Sequence, residues 1–374
     1  MPCHLVVSST NSNLSEAEKE LLRWHFKLGH ISFTKVQHLM HSGILSHTEG
    51  TRRLHTAAAS LRHAPKCAAC TFAKQRVRSS PGRKVTTIQD VAGKLKSNNI
   101  FPGKEVSVDH FICSTKGRLF NSKGKSRDSD MYCGGCMFVD HCSNYIFVQF
   151  QETLHSHKTV LAKEAFEAHC RDCGVIVQQY LSDNSTSFSG DAFTQHLKKF
   201  HQIIRFAGVG AHHHNGHAER SIGTIMSITR AMLIHSALHW PELADPSLWP
   251  MCVAHAVFIW NHMPDPSTGL SPTDIFTRTR WKLRQFLDLH VFGCPTYVLD
   301  NRLSDGKKIP KWKPRSTRCM YVGKSPTHAS TVPLVLNPDT GTITPRFHIV
   351  FDEKTRQPTN KNTGDVSAHE YWNF

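Results

Sequence analysis

At 374 residues the chain is too long for one ordinary domain and implies two or three. Lys and Arg outnumber Asp and Glu 45 to 29, a formal net charge of +16, which favours a polyanionic partner: nucleic acid most simply, although a basic ribosomal or membrane-surface protein shares such a charge. No apolar run of about 18 residues exists, so no membrane-spanning helix is expected; the start lacks a basic-then-apolar signal peptide, and twelve cysteines then read as reduced thiols or metal ligands rather than a disulfide framework.

Leu21 to His30 reads as a helix leading into a turn, and after 36 residues comes Cys67-Ala-Ala-Cys70. His25, His30, Cys67 and Cys70 suit a closed, tetrahedral, structural Zn²⁺, which would supply folding energy to a segment too small for a good core. His63 is an alternative ligand. A second pair, Cys133-Gly-Gly-Cys136, lies in the apolar run Met131 to Asp140 and reads as structural thiols of a core strand. Phe72 to Lys84 is a basic linker broken by Pro and Gly, with Lys74, Arg76, Arg78, Arg83 and Lys84 as candidate phosphate contacts; a solvated linker is the alternative.

The middle of the chain reads as one α/β unit. Strands are expected over 104–113, 131–139, 145–150, 175–181 and 203–206, and helices over 158–170, 191–200 and 217–238. Gly208 to Gly216, with three consecutive histidines, reads as a mobile loop before the last helix, and these histidines as solvated rather than metal-binding. On that helix Ile222, Ile225, Met226, Thr229, Met232 and Leu233 form an apolar stripe. A further helix over 248–261 and a Pro-rich connection lead to short strands from Val291 onwards, which suggest a small β-barrel. Its cationic face includes Lys307, Lys308, Lys311, Lys313 and Arg315.

Three acids stand out in this frame. Asp109 ends the alternating run Glu105-Val-Ser-Val-Asp109, Asp183 follows the run Val175 to Ser182, and Glu219, at the head of the helix, is separated from Asp183 by 35 residues. Two strand-end aspartates and a helical glutamate can converge on a pair of Mg²⁺ or Mn²⁺ ions, which clamp the attacking and leaving oxygens of a phosphodiester.

The segments Ser182-Asp-Asn-Ser-Thr-Ser-Phe188 and Asn215-Gly-His-Ala-Glu-Arg220 resemble the integrase signatures around the second aspartate and the glutamate of its catalytic triad. Trp24-His25 and Leu28-Gly29-His30 match the start of the family's HHCC zinc pattern, and Val291-Phe-Gly-Cys294 and Tyr321-Val-Gly323 look like its C-terminal segments. Over residues 20 to 355 the chain thus resembles the integrase of a copia-type LTR retrotransposon, within the retroviral integrase superfamily.

The resemblance implies an α/β RNase H-like catalytic core with a mixed five-stranded sheet and helices. A small helical zinc-binding module precedes it and a small β-barrel-like domain follows. The segments are 1–75 (HHCC module), 76–101 (basic linker), 102–265 (core), 266–290 (linker), 291–355 (β-rich) and 356–374 (polar tail). It implies Asp109, Asp183 and Glu219 as ligands of two catalytic Mg²⁺ or Mn²⁺ ions, His25, His30, Cys67 and Cys70 as ligands of one structural Zn²⁺, and DNA contacts at the basic linker, Asn215, Arg220, Lys311 and Lys313. The expected activity is joining of 3′-OH DNA ends to target DNA, with 3′-end trimming left open. Expected partners are DNA, further copies of the chain, and the reverse transcriptase and capsid of the same element. The expected location is the nucleus, after a cytoplasmic particle stage. A catalytically silent relic or a host-retained DNA-binding protein is the alternative. A zinc hydrolase fits worse, because the HHCC set leaves no open zinc position. Two departures stand out: Ser185 replaces the glycine of the family's Asp-Asn-Gly, where αL backbone costs a serine more, and Ser221 to Thr224 lacks the Lys or Arg of many relatives.

Overall fold

The computed structural model describes residues 13–45, 52–75, 100–120, 131–206, 216–280, 288–329 and 331–353. Arg76, Arg78, Arg83, Lys84, Asn215, the histidine run of 212–214 and the polar tail lie outside these residues.

Ser15 and Glu18 form a reciprocal capping box that starts α1 (Glu16–Lys27), whose Leu21, Leu22, His25 and Phe26 recur at helical spacing and are buried. Three short helices follow: α2 (Phe33–His41), α3 (Arg52–Ala59) and α4 (Ala68–Ala73).

The central sheet then builds from β1 (Val106–Gly117), β2 (Tyr132–Asp140) and β3 (Ile146–Gln151), an antiparallel meander. Helix α5 (Ser156–Asp172) crosses back to β4 (Gln179–Ser182). After α6 (Thr186–Ser189) and α7 (Asp191–Lys199) comes β5 (Ile203–Phe206). The strand order is β3-β2-β1-β4-β5, with β4 parallel to both β1 and β5. The mixed five-stranded sheet expected of the core is therefore present.

Strand alternation sorts the side chains into two layers. Val106, Val108, Cys136 and Phe138 pack with Phe166 of α5, Tyr180 of β4 and Phe193 of α7. Phe111, Met137 and Val139 pack with a second layer, α8 (Gly216–His239) and α9 (Trp249–His262). Gly134 is required at the β1–β2 crossing, since a Cβ there would lie 2.1 Å from the Phe111 carbonyl oxygen. On α8 the stripe is largely as expected: Ile225, Thr229 and Met232 are buried, and Ile222, Met226 and Leu233 are partly buried against the same core.

After α10 (Pro272–Thr277) the chain enters β6 (Pro295–Leu299), the short α11 (Asn301–Ser304), β7 (Ser316–Lys324), β8 (Pro333–Asn337), β9 (Thr342–Pro345) and β10 (Ile349–Phe351). These strands form an antiparallel sheet in the order β10-β6-β7-β8-β9, with β9 and β10 as its edges. The short strands expected from Val291 onwards are thus present as one five-stranded antiparallel sheet. Its Met320, Tyr321, Val322 and Leu334 join the same apolar cluster as α8 and α9, and so do Leu22, Phe26, Cys67 and Ala69 of the N-terminal helices.

Two segments differ from the sequence reading. The first strand runs on to Gly117, past its expected end at Cys113. The run from Val175 does alternate, with Val175 and Val177 buried and Ile176 77% exposed, but ladder pairing begins only at Gln179. Before that the backbone is tied to a loop, the Gln178 N–H donating to the Gly103 carbonyl at 2.8 Å.

Candidate active site and metal centre

The parallel pairing of β1 and β4 brings two of the acids together. Val106 stands opposite Tyr180 and Ser107 opposite Leu181, so continuing the register two places sets Asp109 beside Asp183, just past the end of β4. Glu219 lies in the first turn of α8, which packs across β1 and β2. Asp109 is half-buried and its Oδ1 accepts from the His110 N–H at 2.8 Å. Burial, then the charge of Asp183, pushes its carboxyl up to about 6; the His110 bond opposes this and the Glu219 charge adds to it. Like charges crowded at one place are what a divalent cation relieves. Asp183 Oδ1 is buried with no hydrogen-bond partner, a hard oxygen with its lone pairs free for a cation. The three carboxylates nonetheless do not close into a cluster as tight as the His/Cys set described below.

Ser185 resolves the departure at the motif's third position. It lies at φ −69°, ψ 152° and opens α6 as its N-cap, so no left-handed backbone is asked of the serine. Phe188 of α6 is buried and stacks on His110, ring centroids 4.6 Å apart, which packs the turn after Asp183 against the strand carrying Asp109. Burial holds His110 down to about 4, and its Nε2 meets Thr159 Oγ1 at 3.1 Å.

Sequence reasoning missed a polar chain beneath this site. Ser107 Oγ lies 2.6 Å from His141 Nε2, and His141 Nδ1 lies 3.2 Å from Glu105 Oε1, while the His141 ring stacks on His217 in the first turn of α8 at 4.5 Å. The order Ser–His–Glu is that of a hydrolase relay, but Ser107 is fully buried and cannot reach a substrate. The chain instead ties β1 to the start of the helix that bears Glu219.

The second site is the one read from the histidine and cysteine spacing. The ligand atoms of His25, His30, Cys67 and Cys70 all lie within 4.8 Å of one another. Cys70 Sγ is 3.2 Å from His25 Nε2, and Cys67 Sγ is 3.4 Å from His30 Nδ1. His25 Nδ1 donates to the Ile31 carbonyl at 2.7 Å, which fixes its tautomer and leaves Nε2 bare for a metal. Burial holds His30 down to about 4, hence neutral. The bond between the two thiols pulls Cys70 well down, with help from the two histidines, and pushes Cys67 up, so without metal the pair shares one proton, which metal binding would displace. Two imidazoles and two thiols, buried or nearly so, fit a closed tetrahedral Zn²⁺. Gly29 and His30 turn through left-handed backbone, φ 64° and 60°, to fold the second ligand back over the first. His63, the alternative ligand, is exposed and outside this set.

Cys133 and Cys136 are three residues apart on one strand, so they point to opposite faces and form no such set among the described residues. Among the candidate DNA contacts, Lys74 is spent on the fold, its ammonium donating to the His30 carbonyl at 2.6 Å. Arg220, Lys311 and Lys313 are exposed. Between the two lysines, Trp312 is 89% exposed, a large apolar ring among cations that the sequence reading passed over.

No family model matches the chain. Over 325 residues it is 24% identical to the retrovirus-related Pol polyprotein from transposon TNT 1-94 of Nicotiana tabacum, covering 83% of this chain and 20% of that protein. Over 235 residues it is 26% identical to the retrovirus-related Pol polyprotein from transposon RE1 of Arabidopsis thaliana, covering 60% of this chain and 14% of that protein. The chain therefore spans a fifth or less of the length of these curated relatives. Similar solved structures include the HTLV-2 integrase catalytic core domain in complex with magnesium, at 20% identity and a TM-score of 0.33, covering 47% of this chain and 98% of that one. Another is the simian T-cell lymphotropic virus intasome in complex with the PP2A regulatory subunit B56 gamma, at 13% identity and a TM-score of 0.37, covering 69% and 81%. The chain is thus similar in sequence to stretches of the retrovirus-related Pol polyproteins of two plant transposons, in accord with the family its motifs resemble.

Proposed function

We propose that the protein is an integrase that joins 3′-OH ends of retrotransposon DNA to target DNA, with Asp109, Asp183 and Glu219 as its metal-binding carboxylates. The observation that carries this reading is the raised Asp109 carboxyl, which the charges of Asp183 and Glu219 help to lift. A binding module has no use for three acids set against one another in a chain of net charge +16. The partnerless Asp183 Oδ1 supports the same reading. Two bound Mg²⁺ or Mn²⁺ ions supply acidity to the attacking hydroxyl and charge relief to the leaving oxygen.

The chain's own part is to hold and to orient. Asp109 and Asp183 present oxygens from neighbouring strands of a rigid sheet, and Glu219 presents one from a helix N-terminus, where the dipole favours a carboxylate. Exposed Arg220 stands next to Glu219 and offers a phosphate contact. No side-chain nucleophile is needed, because the attacking group belongs to the DNA. The His/Cys set holds structural zinc, and the cationic C-terminal face holds the DNA backbone. Holding two DNA partners at once calls for more than one copy of the chain, acting in the nucleus. Reverse transcriptase and capsid of the same element are further partners of this reading, and 3′-end trimming precedes joining where the ends require it.

The test is strand transfer by purified protein, with a labelled duplex carrying the element's terminal sequence, a plasmid target and Mg²⁺ or Mn²⁺. Joining that Asp183→Asn and Glu219→Gln both abolish is the expected result. DNA binding without joining, by folded and zinc-loaded wild type, would leave a silent relic or a DNA-binding protein instead.

A further inference from the structure

We infer that His235 of α8 accepts the hydrogen bond of the zinc ligand His30, and that zinc ligation thereby fixes the position of the helix carrying Glu219. This rests on the zinc reading of the His/Cys set. A histidine that binds a metal through one ring nitrogen carries its proton on the other, and that N–H needs an acceptor. His25 has one in the Ile31 carbonyl. His30, which turns Nδ1 to the cysteines, has none: its Nε2 is buried without a partner. The ring against it is His235, centroids 4.9 Å apart, itself 1% exposed and with both nitrogens unpartnered. Phe26 closes the other side at 4.3 Å from His235. Once His30 is locked in the Nε2–H tautomer by metal, that N–H and one bare nitrogen of the His235 ring in contact with it satisfy each other.

The rest of the zinc set presses on the same helix. Arg230 of α8 donates to the Ala73 carbonyl at the end of α4, the helix carrying Cys70, at 3.3 Å. The turn between the two histidine ligands abuts α8 and α9, for a Cβ on Gly29 would lie 3.1 Å from Met232 Sδ and 2.8 Å from Ile259 Cδ1. Glu219 lies roughly 24 Å further along this continuous helix, at 1.5 Å per residue. His235 is therefore a positioning residue: it touches neither DNA nor the catalytic carboxylates.

The test uses the full chain, with His235→Phe (a ring without an acceptor) and His235→Gln (an acceptor without the ring). Zinc affinity is measured by competition with a chelator, and hydrogen exchange is followed over residues 225–239. His235→Phe is expected to weaken zinc about tenfold or more, in the range that outer partners of metal-bound histidine supply, and to speed exchange in that stretch. His235→Gln is expected to stay within about threefold of wild type. Stripping zinc from the wild type should speed exchange in α8 while β1 to β3 keep their protection. Folded His235→Phe with wild-type affinity, His235→Gln as weak as the Phe variant, or α8 indifferent to zinc would each overturn the inference. A wild type that takes up no zinc overturns the zinc reading with it, whereas zinc uptake with an indifferent α8 removes the inference alone.

Discussion

Replacing Lys163 by Met should unfold the core at markedly lower denaturant and loosen the strand that delivers Asp183. Lys163 and Glu167 sit one turn apart on α5, fully and almost fully buried, with Nζ 2.9 Å from Glu167 Oε1. The same oxygen accepts from the Tyr180 hydroxyl at 2.7 Å and the Gln202 amide at 2.6 Å. Burial works to raise the Glu167 carboxyl, and these three donors overcome it and hold it below the ordinary range. Lys163→Met leaves a buried carboxylate with two neutral donors, a loss of about 3–5 kcal/mol, or roughly 4–6 °C in Tm if the whole chain unfolds together. Adding Glu167→Gln removes the uncompensated charge and keeps an acceptor for Tyr180 and Gln202, so the double variant should recover at least half of the loss. Tyr180 lies on β4 three residues before Asp183, so the single variant should also bind Mg²⁺ more weakly. Urea melts followed by circular dichroism and tryptophan fluorescence measure the first effect, and Mg²⁺ titration the second. A loss of under about 1 kcal/mol, the size expected of a solvated surface pair, would refute the argument from burial.

Other outcomes follow from the same coordinates. The Asp109 carboxyl is raised in the fold, so without metal its contribution to stability is fully present below the ordinary aspartate range and is lost as pH rises through about 6. Stabilisation by Mg²⁺ should accordingly grow across that interval, as Tm recorded from about pH 4 to 7 with and without the ion would show. Gly29→Ala meets both left-handed backbone and Ile259, so it should cost about 1–3 kcal/mol and weaken zinc retention, read by melting and metal analysis. Trp312→Ala leaves the fold unchanged, because the ring is exposed. It should weaken binding to single-stranded DNA by about 1–3 kcal/mol if the ring stacks on bases. Lys311→Ala and Lys313→Ala should each lower the salt slope of duplex binding by about one, measured by fluorescence anisotropy.

What the sequence made legible was local. Alternation located β1 to β3 within a few residues, because each has a ladder partner and buries side chains in the core; β5 matches to the residue although only Ile204 of it is partly buried. The same alternation misled at Val175, where it reports burial of Val175 and Val177 and says nothing of pairing; the backbone there bonds a loop. The acids could be named from their motifs. That Asp109 and Asp183 are neighbours depends on a parallel register, which no local pattern encodes. At Ser185 a motif position implied left-handed backbone, and a short helix after it supplied another way to make the turn. The His/Cys set was legible from type and spacing. Its packing against α8 was not, since Phe26, His30 and His235 meet only through tertiary contact.

The β1–β4 pairing also bears on how the protein comes into being. The antiparallel meander of β1, β2 and β3 needs only near neighbours in the chain, but β4 reaches β1 after the whole of α5 has been made and folded back. Contacts between distant parts of a chain close late, because loop entropy is spent before they form. A nascent or partly folded chain thus carries Asp109 on a finished hairpin without Asp183 beside it. The pairing of the two aspartates is therefore acquired in a single late event, when the parallel strand docks.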